Sequence, residues 1–124
     1  MEGNPINWFE IPVSNIERAK SFYDKVFEIN IQMVDLDGTK MGFFPGDVSK
    51  PGATGSLIQH EQYTPSYQGT LIYLSCQDLA HELSRVEAAG GKVLQQKTRI
   101  SPEHGFMGLM EDTEGNRIAL HSNN

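Results

Sequence analysis

The sequence predicts an α+β fold of two tandem βαβββ modules. Three observations predict it. Two amphipathic helical stretches, 14–27 and 78–91, are each preceded by one β-like run and followed by three more. Their starts, Asn15 and Asp78, lie 63 positions apart, and at that spacing Ile16 meets Leu79, Tyr23 meets Val86 and Phe43 meets Phe106. The 124 residues, 38% hydrophobic and 21% charged, have the length and balance of a globular chain with one core. The modules fall at about 5–63 and 69–122. A two-layer α+β sandwich with accidental pseudo-symmetry is the rival arrangement.

Each element has a local reason. "INWFEIPV" is an apolar strand whose Pro12 limits pairing. The first helix turns Ile16, Ala19, Phe22, Tyr23, Val26 and Phe27 to one face, and Ser14 with Glu17 forms a capping-box pattern at its start. "INIQMVDL" alternates Ile29, Ile31 and Met33 with polar residues, "DGTK" is a tight hairpin turn, and "MGFFPG" is the returning strand. "GSLIQHEQY" is a fourth strand, followed by the linker "TPSYQG". The order then restarts with the strand "GTLIYLSCQ" and a helix presenting Leu79, Leu83, Val86 and Ala89, closed by Gly90 and Gly91. The strands "KVLQQKTRI", "FMGLMED" and "RIALHS" complete the second half.

Composition narrows the function. A net charge of −6 with ten scattered basic residues excludes an extended nucleic-acid or anionic-membrane surface. No run reaches the roughly 18 apolar residues of a membrane span, and the first residues do not read as a secretory signal. The single Cys76 sits in an apolar run and reads as an inert, buried thiol, so a cytoplasmic location is the expectation. There is no phosphate-binding Gly-Lys-Ser/Thr loop, dinucleotide fingerprint, cysteine pair or nucleophile elbow.

The stretches "IPVSNIERAKSFYDKVF", "DLAHELSRVEAAGGKVL" and "HGFMGLMEDTEGNRIALHS" resemble the vicinal oxygen chelate superfamily of glyoxalases, bleomycin-resistance proteins and extradiol dioxygenases. Val13, Asn15, Phe22, Tyr23 and Phe27 match its first motif, and Asp112, Gly115, Asn116 and Ile118 its closing one. The resemblance implies that the modules form a curled mixed sheet around a pocket, together with a small-molecule ligand, a homodimer and, in metal-using members, a histidine about seven residues before each helix start. Those places hold Trp8 and Leu71, the glutamate position of the last strand holds Ala119, and the remaining ligand position falls near Ser56. Where members often end the first helix on Gly, this chain has Glu28, which implies a different cap or a longer last turn.

The sequence therefore predicts no cofactor at the usual metal positions. Its polar candidates lie one pleat further along, roughly 6.5 to 7 Å away: Glu10 as general base, with Tyr73 or His121 as hydrogen-bond donor to a substrate oxygen. A displaced metal site from Glu10, His60 and His121 is the alternative, with donors suited to Zn, Mn, Ni or Fe. Trp8, Phe43, His104 and Met107 are candidate pocket residues, with Phe9, Phe44 and Met110 as further apolar lining, and His81 reads as a surface group. Three functions stay open. One is acid/base lyase- or isomerase-type chemistry on an oxygenated substrate; the second is sequestration of a small cationic or aromatic molecule in an acidic pocket; the third is a metal-dependent lyase or dioxygenase with displaced ligands.

Overall fold

The computed structural model describes residues 3–47 and 49–124. The elements run β1 (Trp8–Pro12), α1 (Ile16–Phe27), β2 (Gln32–Leu36), β3 (Thr39–Phe43), β4 (Thr54–Gln59), β5 (Tyr73–Ser75), α2 (Leu79–Val86), β6 (Lys92–Ser101), β7 (Gly105–Glu111) and β8 (Arg117–Ser122). The βαβββ order thus occurs twice. Each half forms a four-stranded mixed sheet, ordered β1-β4-β3-β2 and β5-β8-β7-β6. The first and fourth strands of each half are parallel, as the repeat requires. No helix of the described residues is long and apolar enough to cross a membrane.

The 63-residue spacing holds where chain lengths match. Glu10 stands opposite Ser56 on β4, and Tyr73 opposite Ala119 on β8. Each helix start is tied to the end of its fourth strand: Ile16 N–H donates to Gln59 Oε1 (2.8 Å) and Leu79 N–H to Ser122 Oγ (3.2 Å). The expected match of Phe43 with Phe106 fails. Gly42 faces Leu57 and Gly108 faces Leu120, so the third strands correspond three residues further along. The cause is the second hairpin, where β6 is ten residues long and carries register shifts against β7. Both glycines admit helix-side chains close to the sheet: an added Cβ would stand 2.7 Å from Ile31 Cγ2 at Gly42 and 2.9 Å from Leu83 Cδ1 at Gly108.

Local signals were partly shifted by the fold. The first helix is capped by Asn15, whose side chain accepts from Arg18 N–H at 3.0 Å, and not through a Ser14–Glu17 box. The Ser14 N–H is instead drawn to Glu114 Oε1 at 2.9 Å. Glu28 keeps the helix end in place by adopting the left-handed conformation itself (φ 54°), so the different cap or longer turn expected there does not occur. At the end of the second helix only Gly90 is left-handed (φ 104°). Asp37 and Gly38 both take positive φ, which gives the two-residue hairpin that Asp-Gly signals. β2 starts at Gln32, later than its alternation suggested: Ile31 is buried, but Met33 and Leu36 are exposed on the edge strand.

The core lies between the helices and one face of each sheet. It includes Ile11, Val13, Ile16, Phe22, Tyr23, Val26, Leu57, Leu79, Leu83, Val86, Met110 and Leu120. Each such side chain contributes about 1.5–3 kcal/mol on leaving water. Tyr23 packs against Phe22, Phe27 and Phe44 with ring centroids 5.1, 6.0 and 5.5 Å away. Its hydroxyl donates to Asp112 Oδ2 at 2.7 Å. Asp112 also accepts from the Glu114 and Asn116 backbone and the Asn116 amide, while Asn116 Nδ2 donates to the Pro12 carbonyl at 2.7 Å. Glu114, its side chain fully buried, accepts from Ser14 N–H, Asn15 N–H and Arg18. The β7–β8 turn therefore clamps the first module to the second. The matched motif residues Asn15, Tyr23, Asp112 and Asn116 all serve this packing.

Candidate functional site

Strand parity sorts the candidate residues onto faces. Phe9 and Ile11 turn toward the helices, which leaves Trp8, Glu10 and Pro12 on the opposite, open face of β1. Trp8 meets Phe43 edge to face at 5.3 Å. Ser56, opposite both Glu10 and Phe43, is fully buried, and its hydroxyl has no partner among the described residues. The equivalent face of the second sheet carries Tyr73, Ala119, His121 and Met107, with His121 opposite Ser75 and Met107. Tyr73 is half exposed. His121 Nε2 donates to the His104 carbonyl at 2.6 Å, and Met107 Sδ accepts from Gln95 at 3.4 Å. His104, exposed, has Nδ1 2.8 Å from Ser101 Oγ.

The displaced polar groups do not converge. No first-sheet strand comes within 8 Å, Cα to Cα, of a second-sheet strand among the described residues. The edges β1 and β5 instead flank a seam and run in opposite senses. The C-terminal end of β1 shares a cleft of about 110 Å³ with Thr70, Ile72 and Arg117, and its N-terminal end shares a larger one with Leu74–Gln77. One pleat forward on β1 and one forward on β8 are therefore opposite displacements along the seam. Glu10 lies at the Arg117 end, and His121 at the Ser75 end. His60 Nδ1 accepts from Gln62 N–H at 3.1 Å. Among the described residues no three His, Cys, Asp or Glu side chains are grouped as metal ligands, and Glu10, His60 and His121 form no such set. The positions that the resemblance assigns to ligands hold an indole, a hydroxyl, an isobutyl and a methyl group. That donor set does not fit a divalent metal.

The larger cleft, about 860 Å³, was not foreseen as a site. It opens at the seam on the helix side of the sheets. Phe9, Phe27 and Phe44 supply aromatic wall, Trp8 stands at its edge, and Pro45–Asp47 with Lys50–Ala53 close one side. Of the expected apolar lining, Phe43, Met107 and Met110 lie elsewhere. Met110 is core, and Phe43 and Met107 belong to the open faces. The polar end comes from α2 and the strand before it: Cys76, Asp78, His81, Glu82 and Arg85. Asp78 caps that helix and accepts from Lys97 Nζ at 2.9 Å, a contact that holds its carboxyl below the usual range. His81, exposed as expected, is nevertheless part of the wall. Arg85 Nε donates to the Val26 carbonyl at 2.8 Å, placing a cation at the C-terminal end of α1. Burial, with Glu82 nearby, pushes the Cys76 thiol up to about 12, so it stays protonated and inert at neutral pH. A signal for this cleft existed in the sequence, since Glu82 and Arg85 fall within the apolar face pattern of α2. Only the docking of α2 beside the end of α1 turns them into a pocket.

Comparison with known proteins agrees with this architecture. Glyoxalase I of Zea mays superposes with a TM-score of 0.70 at 18% identity, over 96% of this chain and 46% of that protein. The chain thus spans about half the length of the maize enzyme. A glyoxalase/bleomycin resistance protein from Albidiferax ferrireducens T118 superposes with a TM-score of 0.67 at 16% identity, over 94% of this chain and 98% of that one. A Glyoxylase-like domain-containing protein of Didymella fabae is 30% identical over 120 residues, 93% of this chain and 91% of its relative. The sequence pattern of one family matches residues 5–120. The chain belongs to the Glyoxalase/Bleomycin resistance protein/Dioxygenase superfamily.

Proposed function

We propose that this protein binds a small aromatic or oxygenated organic molecule in the cleft at the seam between its modules, without the metal that related enzymes use. The observation that carries the reading is the cleft itself. Its volume of about 860 Å³ lies in the range of ligand sites, and it joins aromatic walls to one polar end. Trp8, the single tryptophan, stands at its edge and supplies a built-in reporter. Titration with neutral, cationic and anionic aromatic compounds is expected to give saturable changes in Trp8 fluorescence and in the amide NMR signals of residues 74–78. A panel that moves neither signal would sink the reading. Stoichiometric transition metal in the purified protein, lost on His121→Ala, would overturn its metal-free part.

A catalytic reading rests on a different observation. Glu10 stands opposite Ser56, whose buried hydroxyl has no partner among the described residues, so a carboxylate and a free hydroxyl share one row of the open face. In that reading Glu10 is the general base, and Tyr73 serves the substrate oxygen, His121 being at the other end of the seam. Glu10→Gln should then abolish turnover with little loss of affinity. Unchanged turnover would remove Glu10 from the chemistry. As part of the same proposal, we assign the protein to the cytoplasm and to a homodimer, in which a second copy covers the open sheet faces around Trp8 and Tyr73.

A further inference from the structure

We infer that the ligand of the seam cleft carries an N–H donor, an ammonium or amidinium group, and that Glu82 is the residue that selects it. This inference rests on the cleft being the binding site. Glu82 projects from α2, with its side chain only 16% exposed. Its Oε1 is buried, and no group among the described residues donates to it. Its Oε2 stands 3.6 Å from Arg85 Nη2, beyond hydrogen-bond length. Arg85 is held elsewhere: its Nε donates to the Val26 carbonyl at 2.8 Å, and Nη2 lies 3.7 Å from Glu28. The Cys76 thiol lies beside Glu82 as a hydrogen-bond partner, but a thiol is a weak donor, and it also approaches the Leu74 carbonyl oxygen at 3.9 Å. Glu82 is therefore an acceptor withdrawn from bulk water and left without a strong donor.

The rest of the wall agrees in sign. Glu28, Asp47, Asp78 and Glu82 line the cleft with Lys50 and Arg85, and even with Lys97, which pairs with Asp78, carboxylates outnumber fixed cations. A flat apolar body can lie against Phe9, Phe27 and Phe44 while its cationic end reaches Glu82. A carboxylate or phosphate at that end would face Glu82 at close range and be rejected.

The test compares naphthylmethylammonium with naphthylmethanol, which share a ring system and differ in the donor. Calorimetry on the full chain gives affinity, and amide NMR gives the site of binding. The ammonium is expected to bind about tenfold to a hundredfold more tightly, with shifts at residues 74–78, and Glu82→Gln should erase that preference. Equal binding of both compounds in the cleft overturns the role of Glu82 and leaves the cleft reading intact. Binding that leaves the cleft amides unmoved, or no binding at all, overturns both. Should Glu82→Gln fold poorly, the wild-type comparison decides alone, because equal affinities there already refute the inference.

Discussion

At the scale of single residues, this chain places side chains where glycine is the easier choice. Glu28 ends α1 at φ 54°, where an L-residue crowds its own carbonyl. Glycine removes that strain but brings extra freedom to the unfolded chain. Glu28→Gly should therefore raise stability by about 0.5–1 kcal/mol, the part of the left-handed penalty that chain entropy does not cancel. A shift of the urea midpoint upward at constant slope would show it, and a downward shift would mean that the Glu28–Arg85 contact outweighs the strain. Cys76 presents the converse case, a reactive atom type silenced by its surroundings. Its position in "LIYLSCQD" already indicated this, since an apolar run buries a thiol and burial disfavours the thiolate.

At the scale of elements, the β7–β8 turn does more than reverse the chain. It carries Asp112, Glu114 and Asn116 to the start of α1 and to the end of β1, and so joins the modules by buried polar contacts. Burial raises the Glu114 carboxyl, but the Arg18 guanidinium, the Asn15 and Ser14 N–H groups and the Thr113 hydroxyl outweigh it, and the net shift is downward. A depressed folded pKa adds stability above the ordinary value of 4.5, and that stability is lost as pH falls through the folded value. Asp112 behaves oppositely: burial raises its carboxyl above 3.8 despite its hydrogen bonds, so its contribution is present at low pH and lost as pH rises. Comparison of wild type with Glu114→Gln at each pH cancels the Asp112 effect to first order. The wild type should melt higher at neutral pH, and the gap should close below pH 4.5. A gap that persists in acid would show that Glu114 acts by shape alone.

At the scale of the whole molecule, the open sheet faces are the unfinished part. Trp8 is 39% and Tyr73 50% exposed, and each stands on the face that lacks a helix. Sedimentation equilibrium is expected to find a dimer, and Trp8→Ser with Tyr73→Ser should weaken it at least tenfold, the effect of losing two buried aromatic anchors. A wild type that stays monomeric at high concentration would leave these faces as exposed ligand surface.

Much of this was legible in the residues. The helical faces, the Asp-Gly turn and the 63-residue repeat of elements follow from local patterns: period, turn chemistry and chain length. The absence of ligand-type side chains at Trp8, Leu71 and Ala119 is likewise a matter of identity, readable position by position. What needed the tertiary structure is whatever depends on how one half lies against the other. Glu10 and His121 seemed a pair because each sits one pleat beyond a ligand position. Across a seam whose edge strands run in opposite senses, those equal steps separate them. Glu82 and Arg85 become part of a site only because α2 packs beside the end of α1 and leaves a buried carboxylate oxygen without a strong donor. Periodicity constrains a chain relative to its own axis, whereas a site is made of distances between axes, and only the packed core decides those.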